Sequence, residues 1–259
     1  MAKSSGSQTV ERALRLLKLF NDNRSSLTIK EATAATGLNR TTIFRLLTAL
    51  VNEGFLERVA NGDYRLGPEL TALGGYAVRQ NNLVMAARPI LNALVADVDE
   101  RVTIEVLSRS ATGDAAMLVI DEIAGSHRLG IREFAGTHLP IHATSTGKVL
   151  LAHLSAEKQQ AILLQPLTQL TSQTFVDLGL FSAELDNIHA KGYAIANEEL
   201  EDGLIAMATP IFDSHGEAIA AISLVGPTVR ISAERTTHFI TKLLAASQAI
   251  SRRIGFRPN

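Results

Sequence analysis

Apolar positions along the chain repeat in two rhythms, and the first belongs to short helices. Residues 9–20, "TVERALRLLKLF", place Val10, Ala13, Leu14, Leu17 and Phe20 three and four apart, the spacing of an amphipathic helix. In "SSLTIKEATAATG", Thr28 is placed as an N-cap with Glu31 three residues on, a capping box, and Gly37 stands where a left-handed stop is expected. Only Leu38 separates that stop from Asn39, the next N-cap. Two short helices joined by so tight a turn predict a helix-turn-helix. On a wheel of about 100° per residue, Leu46, Leu47 and Leu50 lie within about 60° of Ile43. Thr41, Arg45, Thr48 and Asn52 gather on the opposite side. In "FLERVANGDYRLG" (55–67), two short runs flank Asn61-Gly62, a type I′ hairpin signal and the expected wing of a winged helix.

Pro68 is well placed at the first position of a further helix, residues 68–82. Its Gly74-Gly75 pair predicts either a flexible point or close packing against a neighbour, since each glycine costs a helix about 1 kcal/mol. Beyond it, helical and two-residue rhythms alternate, as in an α+β or α/β domain. Residues 84–99 read as helix, interrupted or begun near Pro89. Residues 102–108 and 115–123 read as strands around a Gly113-Asp114 turn. Helices are expected at 157–165 and 181–192, and strands at 193–199, 203–213 and 217–225, the last two joined by the "SHGE" turn (214–217). A long amphipathic helix, capped by Ser232, closes the sequence.

Composition narrows the class. The 259 residues are 46% apolar and 20% charged, ordinary for a soluble globular chain with room for two domains. Cysteine is absent, which rules out disulfides and thiolate metal sites and fits a cytoplasmic location. No stretch has signal-peptide character, and the longest apolar runs fall short of the roughly 18 residues of a membrane span. The net charge of −1 conceals an asymmetry. Residues 1–82 carry 11 basic and 7 acidic side chains; residues 83–259 carry 14 and 19. A basic head on an acidic body implies that the head meets a polyanion.

That surplus gives the helix after Asn39 its meaning. Arg40, Thr41, Thr42, Arg45 and Thr48 form an outward face able to reach base edges in a major groove. Arginine can grip guanine through two hydrogen bonds, and threonine offers a hydroxyl or a methyl. Arg58 and Arg65 on the wing are expected to meet backbone phosphates.

Three patterns suggest chemistry in the body. "STGK" (145–148) matches a Ser-x-x-Lys nucleophile pair, but its partner motifs are missing. "HATSTGKV" (142–149) ends like a phosphate-binding loop, yet His142 and Val149 occupy positions that need glycine and Ser/Thr. His138 and His142 have the spacing of helical zinc ligands, but Pro140 between them argues against a helix. His142 is expected to be a structural histidine. No catalytic residue, metal site or cofactor follows. Thr144, Ser145, Thr146 and Gly147 instead predict a helix's first turn, whose free N–H groups favour a carboxylate or serve only as a cap.

Taken together, "SQTVERALRLL", "GLNRTTIFRLLTALVNEGFLER", "YRLGPEL", "LPIHATSTGKVLLAHL" (139–154) and the run 192–230 resemble the IclR family of bacterial transcriptional regulators across nearly the whole chain. The resemblance implies a winged helix-turn-helix over residues 1–67, a linker helix over 68–82 and a GAF-like effector-binding domain over 83–259. It also implies operator DNA as partner, a homodimer or dimer of dimers, and a small carboxylate-bearing or aromatic effector. Position by position it assigns effector binding to Ser145, Thr146, Ala196, Ala206 and Ser223. Ala196, Ala206 and Val225 stand where relatives can carry polar residues, which implies a less hydrophilic effector than a two- or three-carbon acid. Glu198 and Glu199, near the same wall, are expected to face solvent. The competing reading is a small-molecule-binding or hydrolytic domain with an N-terminal protein-interaction module, motivated by Ser145 and Lys148.

Overall fold

Local capping sets the N-terminal helices. The computed structural model describes residues 5–21, 24–110, 113–127 and 135–257, and it divides into two units, Met1–Arg79 and Gln80–Asn259. The first unit begins with α1 (Ser5–Leu17), α2 (Ile29–Thr36) and α3 (Arg40–Asn52). Thr28 and Glu31 form a reciprocal capping box at the start of α2, with the Glu31 N–H donating to Thr28 Oγ1 over 3.1 Å. Gly37, at φ +67°, ends it in the left-handed region that glycine adopts without strain. Asn39 Oδ1 then accepts from the Thr42 N–H at 2.8 Å and opens α3. Leu16, Leu27, Ile43, Leu46, Leu47, Leu56 and Tyr64 form the core these elements share.

Two expectations need correction here. The first helix starts and ends earlier than its apolar spacing implied, and Leu16 is its fully buried residue, while Val10 and Leu14 are 60% and 53% exposed. Apolar residues so dense over 10–20 make too broad a stripe for a wheel to choose the buried edge. The wing consists of β1 (Leu56–Arg58) and β2 (Tyr64–Leu66), with Leu56 opposite Leu66. Its turn is not type I′. Val59 N–H donates to Asp63 O and Gly62 N–H to Val59 O, both at 2.9 Å, and of Asn61 and Gly62 only the glycine has positive φ. This is the pattern of a three-residue loop closing on a left-handed glycine. The Asn61 side chain bonds both the N–H and the carboxylate of Asp63, fixing the asparagine in that turn.

Helix α4 (Pro68–Gln80) buries none of its residues. Within this chain a Cβ on Gly74 would have nothing within 4 Å among the described residues.

In the second unit, Asn81 caps α5 (Asn82–Val98) by accepting from the N–H groups of Leu83 and Val84. The helix runs unbroken through Pro89, against expectation. The cost of its missing donor is offset by burial of Val84, Ala87, Leu91, Leu94 and Val98 on the opposite face. Next come β3 (Arg101–Arg109), β4 (Ala115–Ile123), β5 (His138–Pro140), α6 (Ser145–Ala152), α7 (Ala156–Leu163) and α8 (Leu178–Lys191). The chain ends with β6 (Ala194–Asn197), β7 (Leu204–Phe212), β8 (Ala218–Pro227) and α9 (Ala233–Arg253). Strand β5 is not among the strands the sequence predicts; three residues ending in proline suit an edge and carry no readable alternation.

The strands form one antiparallel sheet in the order β5-β4-β3-β8-β7-β6. Alternation assigns its two faces. Val102, Ile104, Met207, Ile222 and Leu224 pack with α5 and α9 on one side. Ala194, Ala208 and Ala221 pack with α6 and α8 on the other. Small residues on this second face leave room for the cavity described next.

Candidate nucleic-acid interface and effector pocket

Helix α3 is divided as its wheel requires. Ile43, Leu46 and Leu47 are buried, whereas Arg40, Thr41, Arg45 and Asn52 are exposed and Thr42 and Thr48 half-buried. No other part of its own unit seals this face among the described residues. Phe44, which the wheel does not single out, is 47% exposed beside Arg45 and adds an apolar surface suited to a thymine methyl or a sugar. On the wing, Arg58 is exposed and its Nε reaches only the Gly62 carbonyl, at 3.5 Å. Arg65 is exposed but already engaged: its guanidinium lies 2.6 Å from Glu57 Oε2 across the ladder. A phosphate approaching Arg65 must share it with that carboxylate.

The second site is a narrow cleft, with a free cavity volume of only about 20 Å³, between the first turn of α6 and the small-residue face of the sheet. Ser145, Thr146, Ala196, Ala206 and Ser223 all line it. The register brings them together, with Ala196 opposite Ala206, Ala206 opposite Val225, and Thr103 opposite Ser223. Leu139, Ala143, Leu200, Leu204 and Val225 complete an apolar wall. Thr144 caps α6, its Oγ1 accepting from the Gly147 N–H at 3.1 Å. The N–H groups of Ser145 and Thr146 have no protein acceptor among the described residues, so two donors and the positive end of the helix remain for an anion. Gly147 makes this approach possible. A Cβ there would lie 1.9 Å from the Ile141 carbonyl oxygen.

Glu105, from β3, sits in the cleft with its carboxyl buried, and sequence reasoning passes over it. An acid within a strand ordinarily reads as the solvent face. Thr103 Oγ1 donates to its Oε1 at 2.8 Å and Thr146 Oγ1 approaches its Oε2 at 2.5 Å. Burial pushes this carboxyl above the usual range, against the lowering effect of the two hydroxyls.

The Ser145/Lys148 pairing dissolves. Lys148 is wholly buried and its ammonium meets Glu199 Oε1 at 2.7 Å and Glu184 Oε1 at 3.5 Å, leaving it unsuited to act as a base for Ser145. Glu199 therefore does not face solvent. Its partner across the fold, invisible in local spacing, draws it inside; burial raises its carboxyl despite Lys148. Glu198 is half-buried, at φ +57°. His142 Nε2 lies 2.9 Å from the Thr168 carbonyl, a structural role, and no cluster of three metal-ligating side chains occurs among the described residues.

Comparison with known proteins decides the lineage. The family model for the IclR helix-turn-helix domain matches residues 9–60, and that for the bacterial transcriptional regulator IclR C-terminal domain matches residues 75–252. The chain belongs to the IclR family. It is 31% identical to the transcriptional repressor IclR of Escherichia coli, with 94% of this chain and 89% of that protein covered. It is 32% identical to the regulator BhcR of Paracoccus denitrificans, over 96% and 88%. Among solved structures, an IclR homologue of Microbacterium hydrocarbonoxydans complexed with 4-hydroxybenzoate is 28% identical with a TM-score of 0.78, covering 95% of this chain and 98% of that one. A Silicibacter IclR-type regulator reaches 0.85 at 27% identity, over 97% and 98%. As an IclR-family member the chain is a transcriptional regulator, with a helix-turn-helix domain for operator DNA and a C-terminal domain for a small-molecule effector. No helix among the described residues is long and apolar enough to cross a membrane.

Proposed function

We propose that two copies of the chain, in a homodimer or dimer of dimers in the cytoplasm, dock paired α3 helices into successive major grooves of a pseudo-palindromic operator. Residues 1–67 make the DNA contacts, residues 68–82 connect, and residues 83–259 bind the effector. Arg40, Thr41, Thr42, Arg45 and Thr48 face base edges; Arg58 and Arg65 meet phosphates. The observation that carries this is the bare polar face of α3, opposite the buried Ile43, Leu46 and Leu47. The effector fills the cleft lined by Ser145, Thr146, Ala196, Ala206 and Ser223, and its occupancy changes operator affinity. Two free N–H donors beside an apolar wall favour a carboxylate on a largely apolar body.

Replacing Arg45 with alanine tests the DNA reading. Operator binding should weaken by about 1–3 kcal/mol with preference relaxed at one base pair, while thermal unfolding stays unchanged. Retained sequence preference in a binding-site selection would remove Arg45 from the reading face.

A further inference from the structure

The floor of the cleft is a chain of hydroxyls ending on one buried acid. Glu105 is 2% exposed, its two oxygens are held by Thr103 and Thr146, and Thr103 Oγ1 lies 2.8 Å from Ser223 Oγ. Each hydroxyl has a single proton to give. With Glu105 ionised, Thr146 and Thr103 both point their protons at the carboxylate and Ser223 donates to Thr103. These three hydroxyls then offer the cleft only lone pairs beside a negative charge. A protonated Glu105 reverses this. A proton on Oε2 is donated to Thr146, whose own hydrogen turns into the cleft; a proton on Oε1 passes the reversal through Thr103 to Ser223.

We propose that Glu105 is a specificity-determining residue that holds a proton in the effector complex, converting the hydroxyl of Thr146 or, through Thr103, that of Ser223 into a donor for a carboxylate seated at the first turn of α6. The proposal rests on the reading of the cleft as the effector site. The proton comes from solvent, and no bond other than O–H changes. One observation favours an anion over a cation, and the surroundings of Glu105 favour its protonated form. Ser145 and Thr146, whose N–H groups have no acceptor among the described residues, line the same cleft. No cation accompanies Glu105 among the described residues: Lys148 of α6 is taken by Glu199 and Glu184. β6, β7 and β8 contain no charged residue, and in β4 Asp121 pairs with Arg88 and Glu122 with Arg101. His142, ahead of α6, is bonded to the Thr168 carbonyl. Burial raises the Glu105 carboxyl in the same sense.

Linkage fixes the sign. The carboxyl is ionised above its folded-state pKa, the hydroxyl donor withdraws, and affinity for a carboxylate falls about tenfold per pH unit. Infrared spectra of the full-length protein near neutral pH should contain the C=O stretch of a protonated carboxyl that Glu105→Gln removes. Thr146→Val, which deletes one hydrogen bond to it, should shift the same band and secures the assignment if the glutamine variant does not fold. An ionised Glu105 near neutral pH, with and without probe, overturns the proposal. The probes are 4-hydroxybenzoate and, as its cationic counterpart, 4-hydroxybenzylamine, titrated calorimetrically across pH. Expected is carboxylate binding that weakens with rising pH in the wild type and loses that dependence in Glu105→Gln. Preference for the amine, or carboxylate binding indifferent to both pH and Glu105→Gln yet abolished by Ser145→Trp, overturns the proton and leaves the pocket standing. Binding that survives Ser145→Trp overturns the pocket itself. If neither probe binds, the anion-accepting role fails and the infrared band alone stands.

Discussion

Lys148 has no exposure at all, and its ammonium is balanced by Glu199 and Glu184 and lies 5.1 Å from the Phe175 ring centroid. Removing one side of such a pair strands the other in a poorly solvating interior. Lys148→Met should therefore destabilise the protein by about 3–5 kcal/mol near neutral pH. Glu199 is already raised by burial and rises further without its partner, so the loss appears as pH climbs through its folded-state value and shrinks as pH falls and the carboxyl takes a proton. Denaturant unfolding at several pH values checks this, and Lys148→Met combined with Glu199→Leu should recover most of the loss. A partner 51 residues away explains why the sequence invited a catalytic reading of "STGK". Local spacing also hid Glu105, whereas Ser145, Thr146 and Ser223 were accessible because a family resemblance, not periodicity, pointed to them.

Elements governed by neighbouring residues were legible, and those governed by distant packing were not. Thr28 with Glu31, Gly37, Asn39 and Ser232 all cap where their side-chain chemistry predicts. The course of α5 through Pro89 depends on burial beneath it, the edge strand β5 on pairing with β4, and the wing turn on the Asn61 side chain. The cap of α3 carries functional weight because it fixes where Arg40 and Arg45 emerge. Asn39→Ala should cost about 1 kcal/mol and speed hydrogen exchange at the Thr42 amide. Unchanged exchange there would mean that packing of Ile43 and Leu47 alone orders the first turn.

For the molecule as a whole, charge follows the division of labour between its two units, with the basic surplus within residues 1–82 and the acidic one beyond. Operator affinity should therefore depend steeply on salt, with log K falling by about 0.9 per tenfold rise in salt for every phosphate neutralised. Arg58→Ala should reduce that slope by about one contact's share and leave base preference intact; Arg65, shared with Glu57, should reduce it less. Filter-binding titrations over a range of salt separate the two. At the cleft, Gly147 has a different consequence. Its hydrogen rests against the Ile141 carbonyl, so any substitution there pushes α6 off its seat. If the cleft is the effector site, a change of metabolite would be tuned at lining positions such as 145, 146, 196, 206 and 223 around that unmoving pivot, the positions to vary in a biosensor built on this scaffold.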